Sequence, residues 1–186
     1  MYPTKMEANG HIYSINTDYR IALACFEAMY DENINDIERF YAVESLLLGT
    51  EVIFEDEPIL KKKIELYLRC GKDENTSNSE RDMDYFQDLH RIKISIKQEF
   101  NGLDIFTIDY LHWYEFNELI EGLTENSLLD RVRKLRTYDL NKIEDQNERQ
   151  KLAEAKEGVA LKLKVHMTDS QKKSAEAFLK CAGIVR

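Results

Sequence analysis

Apolar residues recur at three- and four-residue intervals along most of the chain, and capping residues and glycines close the intervals. After an irregular start, Asn16 or Thr17 is placed to cap a helix running to Tyr30, with Ala22, Phe26 and Met29 or Tyr30 on one face. Asn35 or Asp36 opens a second, in which Ile37, Phe40, Tyr41, Leu47 and Leu48 repeat before Gly49 stops it. The acidic EVIFEDEP reads as a connector. Asp56 ahead of Pro58 starts a third helix, ILKKKIELYLRC, that ends at Gly71. Residues 72–82, KDENTSNSERD, lack apolar anchors and read as a flexible polar loop. A long helix is expected over DMDYFQDLHRIKISIKQEF, with Phe86, Leu89, Ile92 or Lys93, Ile96 and Phe100 along one side and Gly102 closing it.

The stretch YLHWYEFNELIEGL, residues 110–123, reads as the next helix, ended by Gly122. At 100° per residue, His112, Trp113, Phe116, Leu119, Ile120 and Leu123 share one sector, and Tyr110, Tyr114, Glu118 and Glu121 lie opposite. Burying Trp113 and Phe116 stabilises by roughly 2–3 kcal/mol each. Asn126 or Ser127 starts LLDRVRKLRTYDL, and a charged helix covers about 143–157. VALKLKVHM, 159–167, fits two periods: Val159, Leu161, Leu163 and Val165 alternate as in a strand, whereas Leu152, Ala155, Val159 and Leu163 match a helix. DSQKKSAEAFLKCAG then carries an apolar stripe of Ala175, Phe178, Leu179 and Ala182. The pattern predicts an all-α compact domain of about six to eight helices over 1–165, with a short β or extended segment as one reading of 159–167. An amphipathic helix over 166–186 is appended to it. No solenoid repeat is present.

Composition agrees with helix. The chain holds seven Gly and two Pro, and its net charge is −9. Residues 1–60 carry 12 acidic and 3 basic groups, whereas 126–186 carry 9 acidic and 14 basic. That polarity reads either as solvated helix faces or as ends that attract oppositely charged partners or each other in an oligomer. Cys25, Cys70 and Cys181 are odd in number and form no C-x-x-C, which fits buried thiols in a reducing cytosol. No apolar run approaches the ~18 residues of a membrane span, and the N-terminus has no signal-peptide core.

Chemistry finds little support. Asp109, His112 and Glu115 are spaced as helical metal ligands can be, but carboxylate-bridged bundles need two Glu-x-x-His pairs. Here Asp109-x-x-His112 stands alone, and Gln87-x-x-His90 offers an amide. A packed histidine bonded to Asp109 or to a backbone carbonyl is the plainer reading. No G-x-S-x-G, Walker loop, G-x-G-x-x-G or H-E-x-x-H occurs, so no catalytic residue, metal or cofactor is assigned. Two basic clusters, KKK at 61–63 and RVRKLR at 131–136, raise nucleic acid as a partner. In the second, Arg131, Lys134 and Arg136 point to nearly the same side. A solvated face, or salt bridges to the acidic N-terminal region, accounts for both.

Several words taken in order resemble a known family. INTDYRI, LYLRCGKDE, DMDYFQDLHRIKISIKQEFNGLDI, LHWYEFNELIEGL and LRTYDLNKIEDQNERQ are similar to successive segments of the phage family called gene product fifteen, from tailed phages and prophages of Gram-positive bacteria. The resemblance covers about residues 13–165 and rests chiefly on the His-Trp-aromatic word. Where the family has a second Trp and a Lys, this chain has Tyr114 and Glu115, and its long helix lacks the usual small-aromatic pattern near Ile94. The resemblance implies a non-enzymatic role in tail morphogenesis. The gene typically lies between those for tail tube and tape measure, a position that implies a tail assembly chaperone coating the tape measure protein. That position further implies the host bacterial cytoplasm as its place of action and absence from the mature virion. The tail tube protein is a second candidate partner, and self-association a third contact; membrane is not among them. On this reading Tyr110 and Tyr114, an outward i, i+4 pair, and Phe178 with Leu179 are candidate partner contacts, and His112, Trp113 and Phe116 are core. Two alternatives stand beside it: a structural virion component of neck or tail, and a small nucleic-acid-binding regulator.

Overall fold

The chain begins as a β-hairpin. The computed structural model describes residues 1–72 and 82–162, and β1 (Lys5–Ala8) pairs antiparallel with β2 (His11–Ser14) across an Asn9-Gly10 turn. Both turn residues take positive φ, 48° and 86°, the conformation that lets a two-residue turn match strand twist. The irregular start expected from the sequence is therefore corrected. The signal was present as Asn-Gly between the alternating Met6, Ala8 and Tyr13, Ile15, all four of them buried.

Seven α-helices follow among the described residues: α1 (Tyr19–Met29), α2 (Asp36–Leu48), α3 (Glu57–Leu68), α4 (Leu89–Glu99), α5 (Trp113–Glu121), α6 (Leu128–Thr137) and α7 (Gln146–Val159). The protein is thus mostly helical, with only the small hairpin as sheet. The ends of α2 form as its residues dictate. Asn35 and Glu38 make a reciprocal capping box, and Gly49 ends the helix at φ 61°.

Asp56 does not act as the cap of α3. Its fully buried carboxylate instead accepts from the Tyr13 hydroxyl (2.6 Å) and Asn9 Nδ2 (2.7 Å), with His11 Nδ1 at 2.9 Å. The Tyr13 hydroxyl, aided by Asn9 and His11, holds that carboxyl below its usual range in spite of burial. The hairpin is thereby pinned to the start of α3, which also gives its Lys63 ammonium to Glu7 O.

The long helix expected from residue 82 begins only at Leu89. Asp84 accepts from the N–H groups of Phe86 and Gln87, and Asp88 accepts from the N–H of Asp84. These local side-chain bonds offer the backbone an alternative to the helix. At the other end, α7 includes Val159, and Ala160 leaves it with ψ 139°. Residues 73–81 of the polar loop and 163–186, including Phe178 and Leu179, lie outside the described residues.

One apolar core joins the hairpin to α1–α6, with Trp113, Phe116, Leu47, Leu60, Ile92, Ile96 and Leu129 fully buried in it. Helices α1 and α2 pack closely on each other and α5 lies against α1. Helix α4 joins α5 to α6, and α7 packs on α6.

Candidate functional site

Two of the quoted words meet in space. Asp18, from INTDYRI, faces His112, from LHWYEF, in a single antiparallel bridge. The Tyr19 N–H donates to Leu111 O (2.9 Å) and the Trp113 N–H to Thr17 O (2.8 Å). Each central residue is also an N-cap. The Asp18 carboxylate accepts from the Arg20 N–H, and His112 Nδ1 accepts from the Tyr114 N–H at 3.0 Å. Helices α1 and α5 therefore start from one shared point.

This geometry corrects the place of His112. It precedes α5 rather than riding on its apolar face, although it is buried like the core residues beside it. Because Nδ1 accepts, the ring proton sits on Nε2, which donates to Pro3 O at 3.2 Å. Tyr2 stacks on the ring with centroids 4.7 Å apart, and its hydroxyl donates to Glu118. Both imidazole nitrogens are thus committed. Among the described residues no group of three or more His, Cys, Asp or Glu is arranged to hold a metal ion.

Trp113 anchors the start of α5. Its Nε1–H donates to Leu68 O at the end of α3, and its ring packs against Phe26, Tyr85 and Phe116. The Asp18 carboxylate is held from the other side by the Arg20 guanidinium through two contacts of 2.8 Å. Burial works against that charge, but the Arg20 bonds outweigh it and keep the carboxyl below its usual range. Cys25, fully buried nearby, has its thiol pushed up to about 12 by burial, so the reactive thiolate is suppressed.

The candidate contact residues separate. Tyr110 lies ahead of α5, so it and Tyr114 are not one turn apart on a helix. Tyr110 is 52% exposed, and its hydroxyl is 2.6 Å from Thr17 Oγ1. Tyr114 is half-buried, tucked between Tyr2 and Tyr67 with centroids at 6.0 and 5.3 Å.

The basic cluster at 131–136 is largely consumed within the fold. Arg133 pairs with Asp82, Lys134 with Asp130 and Glu125, and Arg136 with Asp88. Arg136 is only 8% exposed, so the expected one-sided stripe is broken. The acids come from neighbouring segments and not from the acidic N-terminal region.

The feature missed by sequence reading is a cleft of about 360 Å³ between α1, α2 and α3. Phe26 and Met29 from α1, Phe40 and Val43 from α2, and Ile64 and Leu68 from α3 form its apolar lining. It exists because α1 and α2 close on each other while α3 makes its close backbone contacts with β1 and the turn before it. The signal in the sequence was Phe26 with Met29 and, on the next helix, Phe40, which the helical spacing placed on apolar stripes without showing that the stripes are incompletely covered. The Lys61 ammonium sits 5.6 Å over the Phe40 ring, bridging α3 to α2 across the cleft.

Comparison with curated proteins and with solved structures gives no match. A family model described as bacteriophage Gp15 protein, in contrast, matches residues 2–161, from the hairpin through α7, and the chain therefore belongs to that family, as a structural or morphogenesis protein of a bacteriophage.

Proposed function

We propose that this protein is a non-enzymatic tail assembly chaperone that binds the tape measure protein in the cytoplasm of the infected host and leaves before the virion matures. The family match across residues 2–161 carries the reading. The physical argument supports it: a tape measure is a long helix-forming chain whose apolar stripes aggregate unless covered. An acidic helical protein with an open apolar cleft can cover such a stripe, and its net charge of −9 keeps the complex dispersed.

Co-expression with the tape measure protein of the same phage genome, followed by gel filtration, tests this. The expected outcome is tape measure that stays soluble only in the presence of this chain and elutes with it. If the two separate and this chain is found at fixed stoichiometry in purified virions, the virion-component reading takes its place.

A further inference from the structure

The dipeptide Asn-Gly occurs twice, as Asn9-Gly10 and Asn101-Gly102, and both copies form exposed turns. Their backbones agree closely, with φ of 48° and 86° in the first and 50° and 82° in the second. What holds each asparagine differs. Asn9 Nδ2 donates to Asp56 Oδ1 at 2.7 Å and to Glu55 O at 3.2 Å. Its turn also closes the hairpin, in which Ala8 pairs with His11 and Met6 with Tyr13. The Asn101 carboxamide makes no hydrogen bond to a described residue. Its turn is held by backbone bonds at the end of α4, from Gly102 N–H to Lys97 O (3.0 Å) and from Leu103 N–H to Phe100 O (2.9 Å).

We infer that Asn101 is a site of spontaneous covalent modification, deamidation through a cyclic imide, and that the contacts to Asp56 and Glu55 protect Asn9 from the same reaction. The Gly102 backbone nitrogen attacks Asn101 Cγ, and glycine permits this because no side chain shields that nitrogen. A bond forms from nitrogen to Cγ and the Cγ–Nδ2 bond breaks. Ammonia leaves with the proton that the glycine nitrogen gives up. Water then adds to one of the two carbonyls of the imide and opens the ring, leaving an aspartyl residue in normal or β-linked backbone. No electron is transferred.

The Gly102 N–H is engaged, so attack waits on local opening of the turn, and the cost of opening sets the rate. At Asn101 that cost is a pair of neutral backbone bonds in the last turn of a helix, where helices fray. At Asn9 a charge-assisted bond must break as well, and the fully buried Asp56 loses one of its donors. Attack also builds negative charge on the carboxamide oxygen, which the Asp56 carboxylate beside Asn9 repels. At Asn101 the β-linked product adds a carbon to the main chain between α4 and Leu103. Leu103 and Phe100 pack against the core, so the product loosens the end of α4.

The test follows the folded full chain over time in mildly alkaline buffer by peptide mapping with mass spectrometry, beside a sample held in concentrated urea. In the folded chain Asn9 is expected to convert about tenfold more slowly than Asn101. In urea, where the contacts are gone, the two should convert at similar rates. Asp56→Ala, checked for fold by circular dichroism, should bring Asn9 close to the rate of Asn101. If that variant does not fold, the wild-type comparison decides alone. Equal rates in the folded wild type overturn the inference, as does a folded chain in which Asn101 stays intact while the urea sample converts. A gap of the same size in urea overturns the protective role of Asp56 and Glu55, because sequence neighbours then set the rates.

Discussion

Helices α5 and α7 show two different ways of holding a helix to a domain. Helix α5 is nine residues long and buries Trp113, Phe116 and Ile120 completely or nearly so. Its start is fixed by a backbone bridge to the start of α1. Helix α7 is longer, at 14 residues, yet none of its residues is buried. It is held by polar contacts near its ends. Arg136 Nε donates to Val159 O at 2.6 Å, Lys156 to Tyr138 O at 2.9 Å, and the Gln87 amide both donates to Lys162 O and accepts from the Lys162 N–H. Length does not measure attachment. Apolar burial ties α5 to the global stability of the fold, whereas α7 is placed to open locally without the rest.

The strongest way to break the contrast is Trp113→Ala. Loss of a fully buried indole, with the cavity it leaves, is expected to cost about 3–5 kcal/mol, read as a shift of the whole urea transition. No comparable single truncation exists in α7.

Arg136→Met attacks the other mode. Arg136 donates to both oxygens of the fully buried Asp88 (2.7 and 2.9 Å) and to Val159 O, so its loss leaves a buried charge with only Arg91 and the Asp84 N–H as partners and frees the end of α7 together. We expect a cost of about 3 kcal/mol. Hydrogen exchange in α7 should accelerate before that of α5. The same pair sets a pH dependence. Burial opposes the charge on Asp88, but bonds from Arg136, the Asp84 N–H and Arg91 outweigh it and leave the carboxyl below its usual range. A depressed folded value means stability that is fully present above the unfolded pKa of about 3.9 and lost as pH falls below it. Urea midpoints of the wild type should therefore drop between about pH 5 and pH 2, and Arg136→Met should flatten that slope.

His112→Ala removes the cap of α5 and the contact to Pro3, with an expected cost of about 1 kcal/mol, while His112→Asn should recover most of it. Recovery by Asn separates capping from the aromatic stacking with Tyr2. The smallest effect is expected from Gln87→Ala. Amide exchange at Lys162 and in the last turn of α7 should quicken by about 1 kcal/mol of local opening, with the global urea midpoint unchanged.

Much of this was legible in one dimension. The helices of 35–49 and 57–71, and the burial of Trp113 and Phe116, follow from spacing, caps and glycines, which act within a few residues. The hairpin was legible too, through Asn9-Gly10, but helical periodicity elsewhere drew attention from a two-residue signal. The candidate site was much less so. Asp88 is an ordinary acidic residue until Arg136, 48 positions later, reaches it. The Asp18–His112 bridge joins segments 94 positions apart. Local spacing placed His112 on a helix that in fact starts one residue later.

The sequence by itself determined that the chain is mostly helical, where most helices stop, and which phage family its words resemble, because turns, caps and amphipathic faces are set by neighbours. Only the tertiary structure decided that two family words meet at one point, that the basic 131–136 cluster is largely spent on internal ion pairs, and that α3 leaves an apolar cleft against α1 and α2. Those outcomes depend on how distant helices pack, and the packing is fixed by the fit of whole faces rather than by any local pattern.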